Sequence, residues 1–289
     1  FDGDQMAVYV PLSRDAQNEA HNLMTAPRNL LKPADGNPIM HPNMDIVLGI
    51  FWMTKLVAGE KGEGEYFASP NHAITAYDFN TVSFRAKIKV LPTDKMKYKV
   101  FGKQVFETTV GRLLFNSVLP DDFEYMNEEM NKKRLSEVVD KLILRYGIDG
   151  TPPILDKIKD FGFKYSTVSG ITWGLDNLKV PPEKEAIVAA GRREEAKISE
   201  QYTEGLLSEE EKYRKLIELW EQKRAQIEKA IPATLDPNGS TYDIVISGAR
   251  GTIASLSQIS GMKGLIVNQA GKTIDFTIIP SYVEGLSPL

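Results

Sequence analysis

Cysteine is absent from this chain of 289 residues, which excludes disulfide bridges and zinc sites built from cysteine ligands. Histidine is scarce. The three histidines, His21, His41 and His72, lie far apart in the sequence, so neither a histidine metal cluster nor a Ser-His-Asp arrangement is predicted. Long apolar runs are missing too: no segment approaches the roughly 18 apolar residues of a membrane span, so no membrane association is expected.

A strong excess of charge of either sign is also lacking. The chain has 35 Lys and Arg against 39 Asp and Glu, a net charge of −4, which argues against a wholly basic protein that coats nucleic acid. With 42% hydrophobic and 26% charged residues, the composition is that of a folded globular protein rather than a disordered one. Because the chain begins with Phe1 rather than Met, we expect a piece of a longer polypeptide.

Hydrophobic patterning predicts an α+β fold of several modules, with mixed helices and short strands. Ser13 and Asp45 are expected to cap the first two helices, and Gly162 is expected to end the last helix before the hairpin described next. The strands are predicted at 5–12, 82–91 and 97–109, and these helices at 14–24, 45–54, 70–78, 109–116, 131–146 and 154–161.

Two long amphipathic segments give the strongest structural signal. Residues 182–204 and 208–231 carry apolar side chains at helical spacing, and only a short turn separates them. Ser208 and Glu211 form a capping-box pattern at the start of the second segment. We therefore predict a long antiparallel helical hairpin. Its acidic turn, with Glu204, Glu209, Glu210 and Glu211, is either a docking surface for another protein or a solvated helix tip.

The first candidate for chemistry is Asp2-Gly-Asp4. Two carboxylates separated by one flexible glycine can both turn toward one hard cation, and Mg²⁺ prefers such oxygen ligands. The same pattern is also common in turns that bind nothing, so the motif by itself leaves both interpretations open.

The second candidate is Ser247-Gly-Ala-Arg-Gly251. Its glycines would let the backbone approach an anion closely, and the guanidinium of Arg250 could bind that anion in a fork. The segment lacks the Lys-Ser/Thr of a nucleotide-binding P-loop. The alternative interpretation is a glycine turn that precedes a helix at 252–259.

Beyond these local patterns, the chain resembles a known family. Phe1-Asp-Gly-Asp-Gln-Met-Ala-Val-Tyr-Val-Pro-Leu-Ser13 is similar to the active-centre loop of the largest catalytic subunit of multisubunit DNA-directed RNA polymerases, in the bacterial form called β′. The family pattern is Asn-Ala-Asp-Phe-Asp-Gly-Asp-Gln-Met-Ala-Val-His-Val-Pro-Leu. Here Asn-Ala-Asp is absent from the sequence, and Tyr9 replaces the usual His.

Further motifs of that family follow in the same order along the whole chain, and a colinear set of this density is not expected by chance. They are Asn29-Leu-Leu-Lys-Pro-Ala-Asp-Gly36, Met44-Asp-Ile-Val-Leu-Gly49, Thr108-Thr-Val-Gly-Arg-Leu-Leu-Phe-Asn116, Asp160-Phe-Gly-Phe-Lys-Tyr-Ser-Thr-Val-Ser-Gly170, Ser247-Gly-Ala-Arg-Gly251 and Ser260-Gly-Met-Lys-Gly-Leu265.

The resemblance implies roles for particular residues. Asp2 and Asp4 match two of the three aspartates that hold the catalytic Mg²⁺, and Arg250 matches an arginine near the phosphates of the incoming nucleotide. The hairpin at 182–231 matches the helices at the rim of the secondary channel, where transcript-cleavage and related factors dock. The implied segments are 1–26, the end of a double-psi barrel with the active centre; 27–180, a pore module; 181–232, the rim hairpin; and 233–289, a funnel and loop segment that leads into the bridge helix.

The resemblance also implies an activity: transfer of nucleotides from NTPs to the RNA 3′ end on a DNA template, with two Mg²⁺ ions that activate the attacking oxygen and stabilise the leaving pyrophosphate. The implied partners are the β, α, ω and σ subunits, DNA, RNA, NTPs and channel regulators, in the bacterial cytoplasm. The segment alone is expected to be inactive. The alternatives are a docking module without catalysis and an unrelated Mg²⁺-dependent phosphotransferase.

Overall fold

The computed structural model describes residues 5–286, so Asp2 and Asp4 lie outside the described residues. The chain divides into two compact units, Phe1–Val168 and Ser169–Leu289. The predicted boundary after residue 180 separates functional segments rather than compact units, and it stays a prediction. Across residues 5–286, none of the helices combines the length and the apolar character that a membrane span requires.

The beginning of the first unit differs from the sequence prediction. Residues 5–12 form no strand and lie exposed, because among the described residues no neighbouring strand pairs with them. The predicted cap is confirmed: the hydroxyl of Ser13 accepts a hydrogen bond from the N–H of Ala16 at 3.1 Å and begins α1 (Arg14–Glu19). The predicted continuation to residue 24 is a π-helical turn, Ala20–Met24, and not α-helix.

Two helices of this unit approach each other closely at a pair of glycines. Helix α2 (Met44–Thr54) is buried from Val47 onward except for the half-buried Trp52. It begins after Asn43, so the predicted cap at Asp45 is wrong, and Asp45 lies in the first turn instead. Helix α6 (Pro152–Ser169) runs through Gly162, where the sequence predicted its end. The reason is tertiary: a Cβ on Gly49 would lie 2.0 Å from the carbonyl oxygen of Gly162. Glycine is therefore needed here for a close helix crossing rather than for a helix stop.

The first unit also contains a small sheet. It has three strands, β1 (Tyr66–Phe67), β2 (Ile88–Val90) and β3 (Phe106–Thr108), in the order β1-β2-β3. Strand β1 runs parallel to β2, and β3 runs antiparallel to it, with Lys89 opposite Glu107. The predicted strand at 82–91 is thus reduced to its last residues, and β1 was not predicted because two residues carry no periodic signal.

The predicted strand at 97–109 is wrong in its first half. Residues Met96–Phe101 form a 3₁₀ helix, and only the end of the segment pairs as β3. The buried side chain of Lys97 explains the difference, because its ammonium donates to the carbonyl oxygens of Asn116 at 2.6 Å and Leu119 at 3.1 Å. Burial lowers the pKa of Lys97. These tertiary contacts hold the backbone in a compact turn that local alternation does not reveal.

Three more helices complete the first unit: α3 (Pro70–Asp78), α4 (Val110–Val118) and α5 (Lys132–Gly150). Each begins after a polar cap whose side chain accepts a backbone N–H, namely Ser69, Thr109 and Asn131. All three were predicted within a few residues. Helix α5 is kinked at Gly147, where φ is 67°. Apolar residues of α3, the sheet and α4 form one of the buried clusters of this unit, which includes Phe67, Ala73, Ile88, Val90, Val110 and Leu113.

Two long helices dominate the second unit. Helix α7 (Lys184–Thr203) and helix α8 (Glu209–Ala230) pack against each other and are joined by a turn that contains Gly205 with φ 75°. The capping box is confirmed, since the side chains and backbone of Ser208 and Glu211 bond reciprocally. A Cβ on Gly191 would lie 3.1 Å from the ring of Trp220, so this glycine lets the two helices approach around the tryptophan.

The rest of the second unit contacts α8 through two short segments, Ile231–Thr234 and Ser257–Gly261. Helix α9 (Ser240–Ile246) precedes the short helix α10 (Ile253–Leu256), which continues as the π-helical turn Ser257–Gly261. The predicted helix at 252–259 is therefore present in part, with Thr252 as its cap. Isolated bridges join Gly264 to Ile278 and Val267 to Thr273. One buried cluster of this unit consists of Leu178, Ile231, Leu235 and Leu256, and another contains Trp220, Ile227 and Met262.

Candidate functional site

The predicted metal ligands Asp2 and Asp4 lie outside the described residues, so their arrangement stays a prediction. In the part of the chain that the structure describes, no group of three or more His, Cys, Asp or Glu side chains is placed to hold a metal ion. The interpretation of Asp2-Gly-Asp4 as a magnesium site therefore depends on the sequence pattern.

The loop with Arg250 begins where helix α9 ends. Ser247 is the C-cap, and its N–H donates to the carbonyl oxygen of Asp243 at 3.2 Å. Gly248 follows with φ 76°, and Gly251 has φ 77°. An L-residue with a side chain rarely adopts this left-handed conformation, so both glycines are needed for the turn. The interpretation as a glycine turn before a helix describes the local backbone correctly.

The side chain of Ser247 stabilises this turn through two hydrogen bonds. It is fully buried. Its hydroxyl donates to the carbonyl oxygen of Ile244 at 3.1 Å and accepts from the N–H of Ala249 at 3.1 Å. One hydroxyl therefore connects the last turn of α9 to the residue that precedes Arg250.

Arg250 lies on this turn with its side chain exposed to solvent. Its backbone N–H donates to the carbonyl oxygen of Ile244 at 3.3 Å. Among residues 5–286, no hydrogen bond or ion pair engages its guanidinium. A guanidinium carries five N–H donors in a planar fork that matches phosphate oxygens. The backbone of Arg250 is thus held by a hydrogen bond, and its exposed guanidinium could bind an anion.

The turn between α7 and α8 forms a second candidate surface. Glu211 is occupied by the capping box, where its carboxylate accepts from the N–H and the hydroxyl of Ser208, both at 2.9 Å. The hydrogen bond from the Ser208 backbone holds the pKa of Glu211 below its usual value. Glu204, Glu209 and Glu210 are exposed. All four predicted acidic residues are thus exposed, but the carboxylate of Glu211 is bonded within the capping box.

Two pairs of lysine and tyrosine side chains contact each other next to this acidic turn. The ammonium of Lys212 lies 4.6 Å from the ring centroid of Tyr202, and that of Lys272 lies 4.8 Å from the ring of Tyr213. The hydroxyl of Tyr213 donates to the carbonyl oxygen of Thr273 at 2.7 Å. A cavity of about 590 Å³ opens between these groups. Sequence reasoning missed the pairing, because residues 60 positions apart meet only through the fold.

The motif at 108–116 proves to be structural. The buried Arg112 donates from Nε to the carbonyl oxygen of Thr54 at 2.9 Å and from Nη1 to that of Asn127 at 3.0 Å. Burial lowers the pKa of Arg112, and the nearby charge of Glu129 opposes that effect. The signal in the sequence was an arginine placed among apolar residues of a predicted helix, which indicates a buried, bonded guanidinium.

Glycines explain other parts of the matched motifs. A Cβ on Gly111 would lie 1.8 Å from the carbonyl oxygen of Met53, and one on Gly264 would lie 2.7 Å from Cδ of Arg224. Gly264 also has φ 82°. Gly111 is needed because a backbone carbonyl approaches it closely, and Gly264 because its backbone is left-handed.

Comparison with known proteins gives one consistent result. The family described as RNA polymerase Rpb1, domain 3, matches residues 29–178. The whole chain is similar to the DNA-directed RNA polymerase subunit beta' of Heliobacterium modesticaldum, at 42% identity over 299 residues, and covers 25% of that protein. The same subunit of Pelotomaculum thermopropionicum is 40% identical and that of Desulforamulus reducens 42%, each with 24% of its length covered. The chain thus spans about a quarter of the length of these curated relatives.

Proposed function

This chain belongs to the RNA polymerase Rpb1 family, and from that premise we propose that it is a segment of the catalytic largest subunit of a bacterial-type DNA-dependent RNA polymerase. The observation that carries the proposal is the match of about 40% identity across the whole chain, together with its colinear motifs. The proposed activity is template-directed transfer of a nucleotide from an NTP to the RNA 3′ end. An unrelated phosphotransferase would leave those motifs unexplained.

Asp2 and Asp4 are the residues that would hold Mg²⁺ in this proposal. Their donor set fits the ion chemically, because both supply hard carboxylate oxygens and the glycine between them allows both to turn one way. When bound, Mg²⁺ would stabilise negative charge on the reacting phosphate oxygens. The third aspartate of the family pattern has no counterpart in this sequence, so we expect metal binding to require the complete subunit.

Arg250 would bind the phosphates of the incoming nucleotide. The support is its exposed guanidinium, which has no hydrogen-bond or ion-pair partner among residues 5–286, on a turn that the hydroxyl of Ser247 bonds to and two left-handed glycines permit. Charge-assisted bonds from arginine to phosphate are shorter and stronger than neutral ones. Preorganisation of the turn reduces the entropy lost when the phosphate binds.

The test uses the assembled polymerase with its β, α, ω and σ subunits, a DNA template and NTPs, since the proposed activity belongs to the complex. We expect Asp2→Asn and Asp4→Asn each to abolish nucleotide addition while assembly continues. Asp15→Asn is the matched control, because Asp15 is an exposed carboxylate on α1. Full nucleotide addition by either active-centre variant, at any Mg²⁺ concentration, would refute the metal role.

A second function, docking of regulators that enter the secondary channel, is favoured by a separate observation. Glu204, Glu209 and Glu210 present three carboxylates outward at the turn between α7 and α8. An acidic surface of this kind attracts a basic face of a partner and accelerates its association. The proposed occupant is a transcript-cleavage factor or a related regulator.

Binding of a purified cleavage factor to the assembled enzyme tests this second function. We expect Glu209→Gln with Glu210→Gln to weaken binding several-fold at low salt and less at high salt. The matched control is Glu183→Gln with Glu185→Gln, which removes two exposed carboxylates from the start of the other helix. Equal affinities of the two double variants would count against docking at the acidic turn.

A further inference from the structure

Ser247 stands out among the buried hydroxyl groups of the second unit. Its hydroxyl both donates, to Ile244, and accepts, from Ala249, at 3.1 Å in each case. Buried Ser260 only donates, to the carbonyl oxygen of Leu256 at 3.1 Å, which is an ordinary bond within a helical segment. The bond accepted by Ser247 leaves the helix and reaches the loop.

We propose that Ser247 is a positioning residue for nucleotide binding, and that it acts by holding the peptide before Arg250 against the end of α9. The proposal rests on the proposed role of Arg250 toward nucleotide phosphates. Ser247 touches no substrate in this scheme, because its side chain is fully buried. Its effect passes through the N–H of Ala249 to the backbone that carries the guanidinium.

The flanking glycines explain why this anchor is needed. Gly248 and Gly251 provide the left-handed conformation that the turn requires, but they also allow many other conformations. Two backbone bonds would remain in the turn, from the Gly248 N–H to Val245 at 3.1 Å and from the Arg250 N–H to Ile244 at 3.3 Å, and neither engages the N–H of Ala249. Without the hydroxyl, the Ala249 N–H would lose its acceptor inside the fold. The turn would then sample more conformations, and binding of a phosphate would have to restrict them.

The expected consequence is a defect in binding and not in chemistry. We expect Ser247→Ala in the assembled polymerase to raise the KM for NTP about fivefold, equivalent to about 1 kcal/mol, with kcat nearly unchanged. Ser260→Ala is the matched control, because it removes a buried serine hydroxyl from the same unit without touching the Arg250 loop. We expect its KM to equal that of the parent enzyme.

A double-mutant cycle separates positioning from general damage. If Ser247 acts through Arg250, then Arg250→Ala with Ser247→Ala should have the same KM as Arg250→Ala alone. Multiplied effects in the double variant, or an unchanged KM in Ser247→Ala while Arg250→Ala is impaired, would overturn the positioning role. An unchanged KM in Arg250→Ala would instead refute the proposed phosphate contact, so the two failures can be told apart.

Discussion

Replacement of Gly49 by alanine tests the close approach of α2 and α6 in the first unit. Gly49 lies in the buried helix α2, and an added Cβ would lie 2.0 Å from the carbonyl oxygen of Gly162 and 2.6 Å from the backbone nitrogen of Ser166. Ordinary contact begins at 3.4 Å. Because the obstructing atoms belong to the backbone of α6, no side-chain rotation relieves the overlap. The two helices would have to separate by more than an ångström.

Two opposing effects set the magnitude. Alanine is a better helix former than glycine by about 1 kcal/mol. Overpacking of a well-packed core lowers the free energy of unfolding by about 1–3 kcal/mol, and separation of α2 from α6 also removes neighbouring apolar contacts. The steric loss exceeds the gain in helix propensity, and we expect Gly49→Ala to lower the free energy of unfolding of the first unit by about 2 kcal/mol. For a unit of this size, that corresponds to a melting temperature about 4–8 °C lower.

The assay combines thermal unfolding with hydrogen exchange of the purified chain. Exchange should accelerate in α2 and α6, and the amides of α7 and α8 should keep their protection. Gly174→Ala is the control, because its Cβ would meet open space and its φ is not left-handed. A Gly49→Ala protein that melts at the parental temperature, with unchanged exchange in α2 and α6, would refute the close crossing.

Three further predictions concern single contacts. Arg112→Lys keeps the charge but cannot bond to the carbonyl oxygens of Thr54 and Asn127 at the same time with a planar fork. We therefore expect the free energy of unfolding, measured by urea titration, to fall by about 1–3 kcal/mol. An unchanged urea midpoint would contradict this prediction. Ser208→Ala removes the cap of α8 and should speed exchange of its first-turn amides by about fivefold, equivalent to about 1 kcal/mol, whereas parental rates would show that the cap is dispensable. Burial raises the pKa of Glu284, but hydrogen bonds, chiefly from Lys184, outweigh it and hold that pKa below its usual 4.5. The contact therefore stabilises the fold above about pH 4.5 and is lost as the pH falls through the lowered pKa, and a Lys184→Met variant should show a smaller acid destabilisation than the parent.

Local patterns predicted the helices well where a polar cap precedes an apolar period. Helices α3, α4 and α8 begin within two residues of their predicted starts, because Ser69, Thr109 and Ser208 satisfy backbone N–H groups that the helix itself cannot. Such information is contained in a few neighbouring residues. It also located the turn that carries Arg250, since glycines on both sides of an arginine permit the left-handed backbone that the turn has.

Local patterns failed where a contact with residues distant in the sequence determines the secondary structure. The alternation at 82–91 predicted a full strand, but a strand extends only as far as its partners do, and here pairing covers β2 alone. Lys97 was placed in a strand, whereas its buried ammonium caps carbonyl groups near the end of α4. Gly162 was interpreted as a helix stop, because the sequence does not show that Gly49 lies against it.

The sequence by itself determined the family, the two candidate carboxylates and the candidate phosphate-binding arginine, because these depend on residue identity and order along the chain. Tertiary structure alone decided which of the matched residues are structural and which are free to bind. Arg112 and Arg250 are both arginines in matched motifs, yet one is buried with its donors bonded to carbonyls and the other is exposed without an intramolecular partner among residues 5–286. The physical reason is that a side chain can bind a ligand only with donors that the fold has not already satisfied, and residues distant in sequence determine that.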